Sequence, residues 1–347
     1  MDLARACFDG FYDSIKRLIF SATKNDPEKA HELFAWSCRV LYNTGLGSFL
    51  LDNKHNRGNP GFTLANAAGF NKNADIPPKI LRLLGFDRCI IGTVTAEKWQ
   101  GNDKAKGYYG KQRIIRFPKT ESMVNWLELP NISAERIVDK LWTYEGDTTP
   151  ITVNLMATPD KKGDAALRDL ESTVGSLRNI PFIDRFELNI SCPNISENGI
   201  VYQERTKEMI GTIQQVKHPW QDLDVKVSPD LTEGDIDSIL NAVDGLGIRA
   251  FTTTNSTTSY DSRCITEQID KGGASGNAVY AASLKVQKLF YEKTGGCVKL
   301  NACGGINSAA RARERLEQGA SEIQILTPFI FCGPRLLRDI RKYFIFS

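Results

Sequence analysis

The sequence predicts an α/β fold, a closed (β/α)8 TIM barrel preceded by an N-terminal helical extension. Three observations predict it. Eight short apolar, β-branched runs recur along the 347 residues, amphipathic helical-period stretches alternate with them, and the runs are continuous in their hydrophobicity. Continuous strands between helices argue for a parallel sheet buried on both faces, and eight such units close into a barrel better than they fill an open sheet.

The predicted strands are residues 62–68, 89–95, 151–156, 186–191, 224–228, 250–256, 298–303 and 322–327. The helical stretches are 76–84, 134–142, 165–177, 205–216, 235–246, 280–291 and 309–318, with 334–343 closing the chain. Residues 96–131 make a long connection rich in Lys, Gly and Tyr, and loops of that length are usually functional or disordered. Residues 1–50 form the extension and 51–347 the barrel domain. Within the extension, Asp26-Pro27-Glu28 supplies an N-cap, a proline for the first turn and an early acid. Leu3, Cys7, Phe8, Phe11, Ile15, Leu18 and Ile19 recur at helical spacing, interrupted by Lys16 and Arg17. Leu33, Phe34, Cys38 and Leu41 repeat the pattern on a second helix.

Composition is that of an ordinary globular protein, 41% apolar and 24% charged with a net charge of +3, which gives no reason to expect nucleic acid. Eight scattered cysteines without a CxxC pair and three distant histidines (His31, His55, His218) predict no metal site and no iron–sulfur cluster. Without a secretory signal pattern, a reduced cytoplasmic compartment is expected. No apolar run is long enough to span a bilayer.

Active groups of a parallel barrel sit where its strands end. Asn154, Asn189, Asn194 and Asn255 lie at such ends, with Asn125 in the long loop. A ring of amides, each both donor and acceptor, suits a flat heterocycle whose edge alternates N–H and C=O. Lys226, flanked by valines in mid-strand, points to an internal anion or an electron-rich ring, because an unpaired buried lysine is costly. Gly272-Gly-Ala-Ser-Gly276, Gly304-Gly305 and Thr327 follow the last strands, where barrels usually bind phosphate with backbone N–H groups. Cys192 stands between Ser191 and Pro193 at a strand end that turns abruptly polar. A thiol there, with an intrinsic pKa of about 8.5, can be tuned to abstract a proton.

Together the stretches NAAGFNKNA, LGFDRCIIGTVT, QGNDK, ELNISCPN, VKVSPDLT, TTTNST, GGASGNAVY and NACGGINSAARARERLEQGASEIQILTPFIFCGP resemble the dihydroorotate dehydrogenases over nearly the whole chain. That resemblance implies an FMN-binding barrel oxidising dihydroorotate to orotate in pyrimidine synthesis. It implies that Ala67, Ala68 and Gly69 pack the flavin, and that Thr93, Asn154, Asn189, Lys226 and Thr254 bond its polar edge. Gly276, Gly305, Leu326 and Thr327 would surround its phosphate. Lys72, Asn125, Asn189, Asn194, Asn255 and Ser256 would hold orotate, with Lys72 near its carboxylate. Cys192 falls at the position of the base that takes the C5 proton as hydride leaves C6.

Signals of subclass divide. A cysteine base and MVNWLELPN resemble the soluble members, whereas DPEKAHELF resembles the extension of the membrane-associated, quinone-reducing members. In those members His31 and Arg116 would line a quinone tunnel. A whole extension outweighs one residue, so a quinone acceptor at a peripheral, cytoplasmic-side membrane surface is expected, without an iron–sulfur partner subunit. Glu128 stands where the family usually has glycine, and Leu326 where it usually has tyrosine. Alternatives are fumarate or NAD as acceptor in a soluble cytoplasmic protein, a flavin-binding relative without catalysis, or a phosphate-binding isomerase or lyase lacking flavin.

Overall fold

The computed structural model describes residue 14 and residues 16–51, 60–191 and 199–346; Cys7, His55, Cys192 and Asn194 lie outside them. Residues 16–22 are helical, and α1 (Pro27–Asn43) and α2 (Leu46–Leu51) follow. The Asp26 carboxylate accepts the N–H of Glu28 at 3.0 Å and of Lys29 at 3.3 Å, capping α1 as its sequence predicts.

The barrel then alternates strands and helices. In chain order it contains β1 (Thr63–Asn66), α3 (Pro78–Leu84) and β2 (Cys89–Val94), followed by β3 (Ile114–Phe117), β4 (Ser122–Asn125) and α4 (Ala134–Trp142). Next come β5 (Ile151–Leu155), α5 (Asp164–Leu177), β6 (Ile183–Asn189), α6 (Gly199–Val216), β7 (Asp222–Val227), α7 (Glu233–Val243) and β8 (Ala250–Thr253). The chain finishes with β9 (Gly273–Gly276), α8 (Tyr280–Lys293), β10 (Lys299–Cys303), α9 (Ala309–Glu317), β11 (Ala320–Ile325), α10 (Thr327–Cys332) and α11 (Pro334–Phe346). Eight strands form one parallel sheet in the order β1-β11-β10-β8-β7-β6-β5-β2.

Between β1 and β2 the ring closes on an isolated bridge from Ala65 to Arg88 and on a side chain. The buried Asn66 amide donates to the Ile90 carbonyl at 2.7 Å, and its oxygen accepts the Ile90 N–H at 3.0 Å. One side chain thus supplies both bonds that a backbone ladder would make.

The long 96–131 connection is not structureless. It carries β3 and β4, which pair antiparallel, and β4 pairs in turn with β9. These segments leave the C-terminal ends of β2 and β8, so the small sheet covers that end of the barrel. Tyr108, Ile115, Phe117, Val124, Ile265 and Ala274 give it a small core of its own. GGASG is therefore a strand following the sixth barrel strand, β8, and not a loop after the last two.

Helix α1 is apolar on two faces. Cys38 is buried while Phe34 and Leu41 pack against the barrel core, with the Phe34 ring 6.0 Å from that of Phe70. On the outer side Trp36 is 56% exposed, and Phe49 of α2 is 85% exposed. Of the predicted first stripe, the members from Leu3 to Ile15 fall outside the described residues; Leu18 is exposed.

Candidate active site

A cavity of about 950 Å³ opens at the C-terminal end of the barrel and continues between the N-terminal helices. Its walls include Lys226, Asn154 and Gln324 from the strands and Ile19, Phe20, His31 and Phe34 from the extension.

On β7, Lys226 pairs in register with Asn189 of β6 and Thr252 of β8. It is 3% exposed. Among the described residues its ammonium has neither an ion pair nor a hydrogen bond, yet it faces the cavity. A charge in that position calls for an electron-rich ligand.

Asn154 is more committed than a free amide. Its oxygen accepts the Thr93 hydroxyl at 2.5 Å, and its nitrogen donates to the buried Glu187 at 2.7 Å. Glu187 also accepts from the Thr252 hydroxyl at 2.5 Å and the Gln324 amide at 3.2 Å. Asn189 accepts from the backbone N–H of Ser191 at 3.2 Å and its hydroxyl at 2.5 Å. The Asn255 amide donates to the Ser191 hydroxyl at 2.6 Å, and its oxygen accepts the Ser256 N–H at 2.9 Å. Three predicted ligands, Asn189, Asn255 and Ser256, are thus tied to each other at the residue preceding Cys192. Asn125 ends strand β4, not a loop, and donates to the Gly273 carbonyl at 3.2 Å. Of the expected ring of amides, Asn125, Asn154, Asn189 and Asn255 border the cavity, each also partnered by protein, while Asn194 lies outside the described residues.

Ala67, Ala68, Gly69, Thr93, Thr254 and Leu326 border the same cavity. The N–H of Ala67 donates to Ile325 at 3.0 Å and that of Gly69 to Gly92 at 2.8 Å, fixing the turn after β1 beside β2 and β11. Thr254 N–H donates to the Cys303 carbonyl at 2.7 Å. Farther round, Gly276 and Gly305 have φ of +74° and +67°, and a Cβ on Gly305 would lie 2.6 Å from the Gly276 carbonyl oxygen. The two backbones approach too closely for any side chain. Ser275 and Thr327 bring their hydroxyls within 2.9 Å beside them.

At the extension end, the Glu28 carboxylate receives Arg113 bidentately at 2.6 and 3.3 Å, with Lys104 at 3.4 Å. Burial raises the Glu28 pKa, but Arg113 first and then Lys104 and Lys72 outweigh it and hold the carboxyl below its usual range. Burial pulls the Lys72 ammonium down, opposed chiefly by Glu28. Burial, aided by the charge of Lys72, pushes His31 down to about 4, so its imidazole is neutral at neutral pH. Its ring meets Phe70 edge-on at 5.6 Å. Arg116 stacks over Phe20 at 3.5 Å, and burial lowers its pKa. Residues widely separated in sequence, His31 and Arg116 reach one cavity.

Sequence reasoning missed the charged interior below this site. Arg185 bonds Glu322 at 2.7 Å and approaches Asp224 at 3.4 Å; Arg249 grips Asp224, and Asn301 donates to it at 2.8 Å. The signal was present as a period of two: Arg185, Glu187 and Asn189; Asp224 and Lys226; Glu322 and Gln324. Alternate residues of a barrel strand face inward.

A parallel barrel with a covered cavity at its C-terminal end, an unpartnered lysine and a glycine cradle defines a barrel enzyme built around an electron-rich, anion-bearing ligand. The family model described as "Dihydroorotate dehydrogenase" matches residues 58–345, and the chain belongs to that family. It is 27% identical to the "Dihydroorotate dehydrogenase (quinone)" of Synechocystis sp., over 95% of this chain and 91% of that protein. To the protein of the same name from Nitratiruptor sp. it is 30% identical, over 95% and 93%. The crystal structure of DHODH from Eimeria tenella in complex with ferulenol shares the fold, with a TM-score of 0.76 at 24% identity over 91% of this chain and 90% of that one.

Proposed function

We propose that the protein oxidises (S)-dihydroorotate to orotate with bound FMN and passes the electrons to a quinone at a membrane surface. The observation that carries this reading is the single cavity joining Lys226 and the amides to His31 and Arg116. A flavin-free isomerase would have no use for an unpartnered ammonium inside the barrel or for a cavity that continues between the extension helices.

The residues present fit FMN. Lys226 supplies a cation for the electron-rich end of the ring, with Asn154, Asn189, Thr93 and Thr254 as hydrogen-bonding neighbours. Gly276, Gly305, Leu326 and Thr327 form the cradle for its phosphate, and Ala67, Ala68 and Gly69 leave room for a flat ring. When bound, FMN supplies a two-electron acceptor for hydride and then a donor to the quinone.

The protein's own groups do the rest. Lys72 holds the substrate carboxylate, and Glu28 opposes the loss of charge that burial would impose on that lysine. Asn125, Asn189, Asn194, Asn255 and Ser256 orient the pyrimidine ring. Cys192, next in sequence to the Ser191 knot, takes the C5 proton as its thiolate. A neutral His31 and a charged Arg116 donate to the quinone oxygens. Exposed Trp36 and Phe49 offer a greasy surface to the bilayer interface on the cytoplasmic side. Among the described residues, no helix is long and apolar enough to cross a membrane. The test is anaerobic mixing of the purified, flavin-loaded protein with dihydroorotate. Bleaching of the visible flavin band is expected; a protein that neither holds FMN nor is bleached would sink the reading.

A further inference from the structure

The cradle glycines do not hold their own orientation. Helix α9 carries Arg311 and Arg315, one turn apart on the same face. Arg315 is fully buried and donates to the carbonyls of Cys303 and Gly304, each at 3.3 Å, while bonding Ser283 and Gln287. Arg311 donates to the Gly305 carbonyl at 2.7 Å and to the Asn277 side-chain oxygen. The Asn277 amide in turn donates to the Thr120 carbonyl at 2.8 Å. The Arg311 guanidinium lies 4.0 Å over the Tyr280 ring, which fixes its plane.

A trans peptide points its N–H opposite to its C=O. With the carbonyls of Gly304 and Gly305 drawn toward α9, the N–H groups of Gly305 and Ile306 point the other way. Both residues line the cavity, and neither N–H has a hydrogen-bond partner among the described residues. Two successive unpartnered amides facing a cavity make an anion nest. Arg311 further ties this nest, through Asn277, to the turn between β3 and β4, so three segments are held by one side chain that is itself outside the cavity wall.

We propose that Arg311 is a positioning residue for the cofactor's phosphate: by fixing Gly305 and Asn277 it sets how strongly the protein prefers a phosphorylated flavin to an unphosphorylated one. The inference rests on the flavin reading above and asks more of it. Arg315 stands beneath as the buried partner, and its removal would threaten the fold, whereas Arg311 is half-buried on a helix where alanine is readily accommodated.

The experiment measures dissociation constants of FMN and of riboflavin, by quenching of flavin fluorescence, for the deflavinated full-length wild type, Arg311→Ala, Arg311→Lys and Asn277→Ala. Charge-assisted bonds that orient the nest predict that Arg311→Ala weakens FMN by about tenfold or more and leaves riboflavin within about twofold. Arg311→Lys, which keeps the charge but loses the planar stacking on Tyr280 that fixes the donor, should fall between. Asn277→Ala should lose part of the preference. Equal weakening of FMN and riboflavin would mean general damage to the fold and would overturn the proposal, as would an unchanged FMN constant in Arg311→Ala. A wild type that binds neither flavin would instead refute the flavin reading itself.

Discussion

Replacing Lys226 with methionine separates two consequences of burying an unpartnered ammonium. In the flavin-free protein the charge is 3% exposed and has no partner among the described residues, so its desolvation opposes folding. Water in the cavity softens a penalty that is several kcal/mol for a fully dry ion, leaving about 1–3 kcal/mol. For a chain of this length the unfolding entropy is about 0.7 kcal/mol/K, so flavin-free Lys226→Met should melt about 1–4 °C above wild type. With flavin the sign reverses. Loss of a hydrogen bond from a charged donor is worth about 1.5–3 kcal/mol, or roughly 10- to 150-fold in Kd. Melting curves with and without FMN, together with a fluorescence titration, measure both terms. A variant that melts below wild type without flavin and binds FMN equally well would refute the reasoning, because the ammonium would then be satisfied by the protein alone.

Cys192→Ala should slow flavin reduction by dihydroorotate by roughly 10²-fold or more in rapid-mixing experiments, with FMN content unchanged; reduction at the wild-type rate would place the base elsewhere. Because Ala35 and Cys38 of α1 belong to the barrel core, deleting residues 1–50 would uncover that core, so paired Trp36→Ser and Phe49→Ser substitutions are the cleaner probe of the extension. They should reduce vesicle co-sedimentation while flavin reduction by dihydroorotate persists. His31 titrates lower folded (about 4) than unfolded (6.5), so its contribution to stability is present above pH 6.5 and lost as pH falls toward 4. The wild type should therefore lose up to about 3 kcal/mol relative to His31→Gln across that window, measured by denaturant midpoints. Parallel pH profiles would show that His31 is not held neutral.

Periodicity carried the barrel because each unit obeys one local rule. Residues 134–142 form the predicted helix, since Ser133 caps it and its apolar face repeats every turn. Strand ends were less legible. The run expected through Ser256 stops at Thr253: the N–H groups of Thr254 and Asn255 still reach the Cys303 and Val227 carbonyls at the ends of β10 and β7, but the Ser256 N–H turns to the Asn255 side-chain oxygen. GGASG looked like a loop because glycine is a poor strand former; pairing with β4 and the close approach of Ser256 to Gly273 override that preference. The ion pairs of Arg185, Glu322 and Asp224 join residues far apart in sequence, so only the inward alternation could have announced them. Glu28 was legible as a helix-cap acid, but its pairing with Arg113 depends on where the 96–131 segment folds back.

The central claim concerns the route of electrons from dihydroorotate to a quinone. The most direct measurement reduces the flavin-loaded protein anaerobically with dihydroorotate, then adds a quinone analogue, fumarate or NAD separately while following the flavin band. The account predicts rapid return of the band with the quinone, slowed by Arg116→Ala, and no comparable return with fumarate or NAD. Rapid reoxidation by fumarate with the quinone inert would contradict it, and would make the cysteine at position 192 a better guide to the acceptor than the extension.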